Sequence, residues 1–325
     1  MGRFTRFGND LYTGTRSIDF IGRRRLWYLI AALAILLSIA VPFLRGGYHF
    51  GIEFTGGSEY TVSKPASTDQ NLAKGAVQSV VPTLAPEIAI VGGSSVRVQT
   101  AQLKPDESER VRSALAKAYD VPVENVTSSF VGATWGADIS ATALRGLVVF
   151  LVLVTLVMAL YFRTWKMSAA ALIALAHDLI LTAGIYGIVG FEVTPAAVIG
   201  FLTILGYSLY DTVVVFDKVR ENTSRLTADS PRTFAETVNL AVNQTLVRSI
   251  NTSIVALLPI AGILFIGALL LGAGTLRDIS LALFIGIVVG TYSTIFLAAP
   301  LYTEFRSTEP AIRMRSAKVL AARAR

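Results

Sequence analysis

The chain has 325 residues, 53% of them hydrophobic and only 16% charged, with a mean hydropathy of +0.58. An ordinary soluble domain carries about 25% charged residues, so this balance excludes one and indicates a polytopic membrane protein. The net charge of +7 sits in short basic segments beside apolar runs, as in positive-inside loops rather than a nucleic-acid footprint, and the absence of cysteine excludes disulfides and thiolate metal sites.

In residues 1–25, Arg3, Arg6, Arg16, Arg23, Arg24 and Arg25 outweigh Asp10 and Asp19, which assigns the segment to the cytoplasmic side. Residues 26–44 are long enough to cross about 30 Å of hydrocarbon. Val41-Pro42-Phe43 offers no small-residue cleavage site, so the run reads as a retained signal anchor. Residues 45–138 turn soluble in composition. Their pattern predicts a strand over 59–63, a helix over 69–81, a strand over 87–91, a turn at Gly92-Gly93-Ser94, a strand over 95–100, a helix over 105–119 and a strand over 123–131. The second helix opens on Pro105 followed by Asp106 and Glu107, which suits a positive helix N-terminus. The order is βαββαβ, a ferredoxin-like α+β domain. His49 reads as a surface histidine.

Five further apolar runs follow, at about 143–162, 168–191, 196–219, 251–271 and 279–302. The loops after the second and fourth spans carry Arg163 and Lys166, then Lys218, Arg220, Arg225, Arg232 and Arg248. Those at 192–195 and 272–278 carry little net charge, and residues 306–325 form a basic tail with Arg306, Arg313, Arg315, Lys318, Arg323 and Arg325. The expected fold is therefore a polytopic α-helical membrane protein of six transmembrane helices, with both termini cytoplasmic and the 45–138 domain extracytoplasmic between helices 1 and 2. The spacing Gly286 to Gly290 is GxxxG, either a close helix contact or the glycine background of membrane helices.

The polar residues inside the spans carry the functional signal. Asp211 lies sixteen residues after Pro195, about 24 Å along a helix, in the cytoplasmic third of its span. A carboxylate there costs roughly 2.5–3.5 kcal/mol on insertion scales and is a functional-site hypothesis by default. Ser208 and Thr212 are expected to supply hydroxyls to it, whereas Asp217 and Lys218 are near enough to the boundary to be solvated. Arg248, in NQTLVRSINTS with Asn243, Gln244, Asn251 and Thr252, begins the next span from the same side. It either anchors the helix at the interface or reaches Asp211, making a pair that protonation would release. Asp178, beside His177 and about ten positions into the third span, either joins this network or bonds only a neighbour. Two histidines and no cysteine leave no nucleophile with its base, so a hydrolase is not expected.

GYSLYDTVVVFDKVREN at 206–222, NQTLVRSINTS at 243–253 and GIEFTGG at 51–57 appear in order on this topology. Together they resemble the SecF branch of the SecD/SecF family of bacterial protein-export membrane subunits, over about residues 20–305. The motif after the first span includes Gly51, Glu53, Gly56 and Gly57; Glu53 stands where the family usually has aspartate, and keeps the carboxylate. The resemblance implies relatedness to the resistance-nodulation-division transporters, a location in the bacterial cytoplasmic membrane, and a non-enzymatic accessory role in which the proton motive force promotes preprotein export. It implies a SecD partner, work beside the SecYEG channel on a translocating preprotein, and YidC and YajC as further candidate partners. It places the proton relay on Asp211 and Arg248, with Asp178, Ser208, Thr212 and Asn251 as supporting polar residues. No cofactor or metal is expected beyond the coupling ion, H⁺ or alternatively Na⁺. A proton-driven exporter of lipids or small molecules, and a purely structural assembly subunit, stay open as alternatives.

Overall fold

The computed structural model describes residues 3–91, 95–162, 164–227, 230–268 and 274–324; the expected turn at 92–94, Arg163, Arg325 and loop residues 272–273 lie outside them. Among the described residues six helices are long and apolar enough to cross a membrane. They are α2 (Arg24–Leu44), α6 (Ala133–Phe162), α7 (Trp165–Val189), α8 (Pro195–Ser224), α9 (Phe234–Gly262) and α10 (Gly274–Ser293). A π-helical turn, Ile263–Ala268, prolongs α9, and another, Thr294–Ala298, joins α10 to α11 (Ala299–Ser307).

Several helices outrun their apolar stretches. Helix α6 starts ten residues before the expected 143, α8 runs five past 219, and α9 starts seventeen before 251. Hydropathy marks where a helix leaves the hydrocarbon, while capping decides where it ends. Thr233 starts α9 with a capping box, its hydroxyl accepting from Glu236 N at 3.2 Å and Glu236 Oε2 accepting from Thr233 N at 2.8 Å. Pro195 occupies the first turn of α8, capped by the Thr194 hydroxyl.

The bundle packs at backbone distance. A Cβ added at Gly286 would lie 2.5 Å from Ile204, one at Gly290 3.0 Å from Ser208 Cβ, and one at Gly200 2.6 Å from Ala282 Cβ. The GxxxG spacing is therefore a seam between α10 and α8. Added carbons at Gly184 and Gly187 would collide with Ser38 and Pro42, so α7 is pressed equally closely against α2.

Between α2 and α6 lies a helix–sheet unit. Strands β2 (Gly57–Ser63), β3 (Glu87–Val91), β4 (Ser95–Thr100) and β5 (Val126–Val131) form an antiparallel sheet in the order β3-β4-β2-β5. Helices α4 (Gln70–Val80) and α5 (Pro105–Ala118) give the connectivity βαββαβ. Period-2 alternation buries Val96 and Val98 of β4 and Tyr60 and Val62 of β2 with Val77, Val111, Leu115 and Val126. Boundaries shift by one to three residues from expectation: β2 begins at Gly57, Asp69 and Val81 cap α4 from outside, Tyr119 caps α5, and Val123–Asn125 form a 3-10 turn before β5. A short helix, α3 (Ile52–Thr55), and a two-residue strand, β1 (His49–Phe50), lead from α2 into the unit.

The loop expected at 192–195 contains a further strand, β6 (Glu192–Val193), which pairs in parallel with β1. Neither terminus is a loose tail. Helix α1 (Arg3–Thr13) and the segment after it lie on α9, where Asn243 accepts from Ile18 N at 2.8 Å and Asn239 accepts from Phe20 N at 2.9 Å. Helix α12 (Pro310–Arg323) is held by Arg323, which donates to Glu236 at 2.6 and 2.8 Å. The polar start of the fifth span thus serves as a dock for both ends of the chain.

Candidate functional site

Four helices bring hydroxyls and carboxylates into one buried layer. Asp178 comes from α7, Ser208, Asp211 and Thr212 from α8, Ser249 and Ser253 from α9, and Thr294 from the π-helical turn that follows α10, with the half-buried Thr291 of α10 at the edge. The glycines at 286 and 290 let α10 approach α8 at this level, so small residues place the polar ones.

The two carboxylates differ in what satisfies them. Asp178 is wholly buried and accepts a short hydrogen bond from Ser208 Oγ at Oδ2, with His177 Nδ1 3.3 Å from Oδ1. Asp211 is 3% exposed and accepts from Ser249 Oγ at 2.8 Å through Oδ1. Its Oδ2 is buried and has no hydrogen-bond partner among the described residues. Around it, Thr212 shares a hydrogen bond with Thr294 at 3.0 Å, and Ser253 one with Thr291 at 2.6 Å.

Three expected relations change. Arg248 forms no ion pair with Asp211 among the described residues and lies exposed on α9. Successive residues on a helix diverge by about 100°, so only one of Arg248 and Ser249 can face α8, and Ser249 does. Ser208 serves Asp178 rather than Asp211, and Thr212 bonds across to Thr294 in the π-helical turn after α10. Asn251 is exposed and lies outside the layer. Ser249 was missed in the sequence although its signal was there: Ser249 and Ser253 stand four apart, one face of a helix, inside NQTLVRSINTS. Asp217, near the helix end, accepts from Tyr161 at 2.7 Å.

The GIEFTGG motif builds the turn from α2 into the sheet. Gly51 N donates to Val193 O at 3.0 Å, fastening the motif to β6. Gly56 and Gly57 have φ of 71° and 143°, and a Cβ on Gly56 would sit 2.8 Å from Ala133 Cα. Both conditions require glycine. Glu53 is half-buried, and burial pushes its carboxyl above the ordinary 4.5, with the nearby Glu192 and Glu59 carboxylates adding to the rise. His49 is exposed, 4.0 Å from Glu87.

Sequence and structure comparisons place this architecture. Residues 111–308 match the family model of the protein export membrane protein SecD/SecF, C-terminal region. The protein translocase subunit SecF of Streptomyces coelicolor is 45% identical, over 100% of this chain and 86% of that protein. The SecF of Mycobacterium tuberculosis is 42% identical, over 97% of this chain and 73% of the relative. The crystal structure of Thermus thermophilus SecDF superposes with a TM-score of 0.78 at 31% identity, over 90% of this chain; the chain spans 39% of that SecDF. A 30-residue α8 with GYSLYDTVVVFDKVREN at its core, a six-helix bundle and relatives that match this chain nearly from end to end agree in one assignment: the chain belongs to the SecF family of multi-pass protein translocase subunits.

Proposed function

We propose that this chain is an accessory subunit of the Sec protein translocase which, joined to a SecD partner, uses proton flow across the bacterial cytoplasmic membrane to promote preprotein export. The observation that carries this reading is Asp211, buried among the helices with one oxygen bound to Ser249 and the other without a partner among the described residues. A carboxyl in that state is chemically unfinished. Neutral, it tolerates an apolar surround; ionised, it demands a counter-charge. Arg248 stands next to Ser249 on the same helix, so a rotation of α9 or the docking of the partner half would bring its guanidinium towards the carboxylate. Loading and releasing a proton at Asp211 therefore favours two different helix arrangements. Each charge moved across 100 mV supplies about 2.3 kcal/mol, enough for a few protons to drive a modest conformational stroke.

In this reading the βαββαβ unit is a ferredoxin-like domain on the outer side, supported by its sheet order and by the basic residues at both chain ends, which the positive-inside rule keeps cytoplasmic. The relative named SecDF, of which this chain spans 39%, is a translocon-associated membrane protein, which supports SecD and the SecYEG channel as partners here. The role is mechanical rather than enzymatic.

The test is reconstitution with a SecD subunit and SecYEG in vesicles bearing an imposed gradient. Asp211→Asn is expected to abolish gradient-dependent export and proton flux while the complex still assembles; normal export would sink the relay. Replacing the proton gradient by a Na⁺ gradient identifies the coupling ion.

A further inference from the structure

We infer that Glu192, held by Arg97 and Gln99, is the link through which a rearrangement at Asp211 reaches the extramembrane domain. The inference rests on the proton-coupled reading above. It starts from the geometry of β4, whose alternation sends Val96 and Val98 into the helix-covered core and Arg97 and Gln99 to the opposite face of the sheet. That face meets the membrane helices. Arg97 Nη1 and Gln99 Nε2 both donate to the Glu192 carboxylate, in short hydrogen bonds. On the neighbouring strand, Glu59 accepts from Gln99 at 3.0 Å and lies 3.6 Å from Arg97. The Arg97 and Glu192 side chains are each only 14% exposed, so this is a desolvated network rather than a surface ion pair.

What Glu192 is attached to makes the contact mechanical. Two residues later Thr194 caps α8 and donates to Asp278 Oδ2 at 3.0 Å, joining α8 to the start of α10. Glu192 and Val193 pair with His49 and Phe50, and the chain leading there comes from α2, which is pressed against α7. From Pro195 the helix runs thirty residues without an internal proline and carries Asp211 about 24 Å from its start. A tilt or rotation of α8 set by Asp211 therefore appears at Glu192, and the sheet follows because two of its side chains grip that carboxylate. Arg97 and Gln99 act as positioning residues that keep this grip made throughout the cycle.

The experiment uses the full complex with SecD and SecYEG in vesicles and reads proton flux, preprotein export and co-purification separately. Glu192→Gln and Arg97→Gln are each expected to lower export about tenfold or more, with proton flux and assembly within about twofold of the unmodified complex. The exchanged pair Glu192→Arg with Arg97→Glu, made together with Glu59→Gln to remove the acid beside position 97, is expected to restore most of the lost export, whereas a merely structural role would show as lost assembly in the single variants. Export within about twofold in both single variants, equal loss of flux and export, or no recovery in the exchanged pair would overturn the inference. If Asp211→Asn exports normally, the proton reading itself has failed; if Asp211→Asn is inactive while Glu192→Gln exports normally, only the link has failed.

Discussion

Two charged regions of this protein are built to opposite standards. At the junction of sheet and bundle, Glu192 is answered by Arg97 and Gln99, Glu59 by the same two residues, and Asp278 by Thr194 and Arg277. Every one of these partners lies within the chain. In the membrane layer Asp178 is similarly served by Ser208 and His177, but Asp211 has, among the described residues, a single hydroxyl and no ion pair. A buried charge pair is costly to break, so the junction is suited to hold its shape. A half-satisfied carboxyl is suited to change, because whatever completes it alters the packing of four helices. The contrast assigns rigidity to one region and switching to the other.

The largest expected effects come from the switching side. Asp211→Asn and Arg248→Ala should each reduce gradient-driven export to the level seen without a gradient, with the assembled complex retaining its thermal midpoint. A fall in the midpoint comparable to that of a core substitution would make Asp211 a structural residue and erase the contrast. Asp178→Ala should behave in reverse. It leaves the Ser208 hydroxyl and the His177 ring without an acceptor, about 1–3 kcal/mol for each buried donor, and should lower the midpoint of the purified complex by several degrees. Between the two lies Ser249→Ala, which removes the one hydrogen bond Asp211 has. A loss near 1 kcal/mol corresponds to about fivefold slower export at unchanged assembly, measured as initial rates in vesicles.

How much of this was legible in the sequence follows from the physics of each feature. The six spans were, since twenty apolar residues have few alternatives, and so was the place of Asp211 sixteen residues beyond Pro195 in one helix. The strands of the sheet were legible because alternation at Val96, Val98, Tyr60 and Val62 is strict. Helix ends were not, because α9 begins with a capping box at Thr233 and Glu236 far outside the apolar run. The hydroxyl that Asp211 accepts from was not legible, for a geometric reason. Residues adjacent in sequence, Arg248 and Ser249, leave a helix on different faces, and nothing in the spacing says which of the two meets α8. Glu192 and Arg97 were invisible as a pair, since 95 residues separate them and only the docking of sheet on bundle brings them together. Sequence periodicity reports on one element at a time; contacts between elements lie beyond it.

The smallest expected effect tests the rigid side at its weakest member. Glu53 lies near Glu192 and Glu59, and burial first, then those carboxylates, holds its acid above the ordinary 4.5. An acid that binds its proton more tightly folded than unfolded weakens the fold as it ionises. The penalty is absent below pH 4.5, grows as pH rises through the raised folded value and is fully present above it. Glu53→Gln keeps the size and removes the charge, so the variant should unfold at a slightly higher temperature than the unmodified protein at neutral pH. The gain should stay below about 1 kcal/mol, since Glu53 is only half-buried and solvent screens it. At pH 4 the two should coincide. A lower midpoint for Glu53→Gln at neutral pH would mean that the carboxylate is bound by the Arg97 network rather than strained beside it, and that network would then hold three acids rather than two.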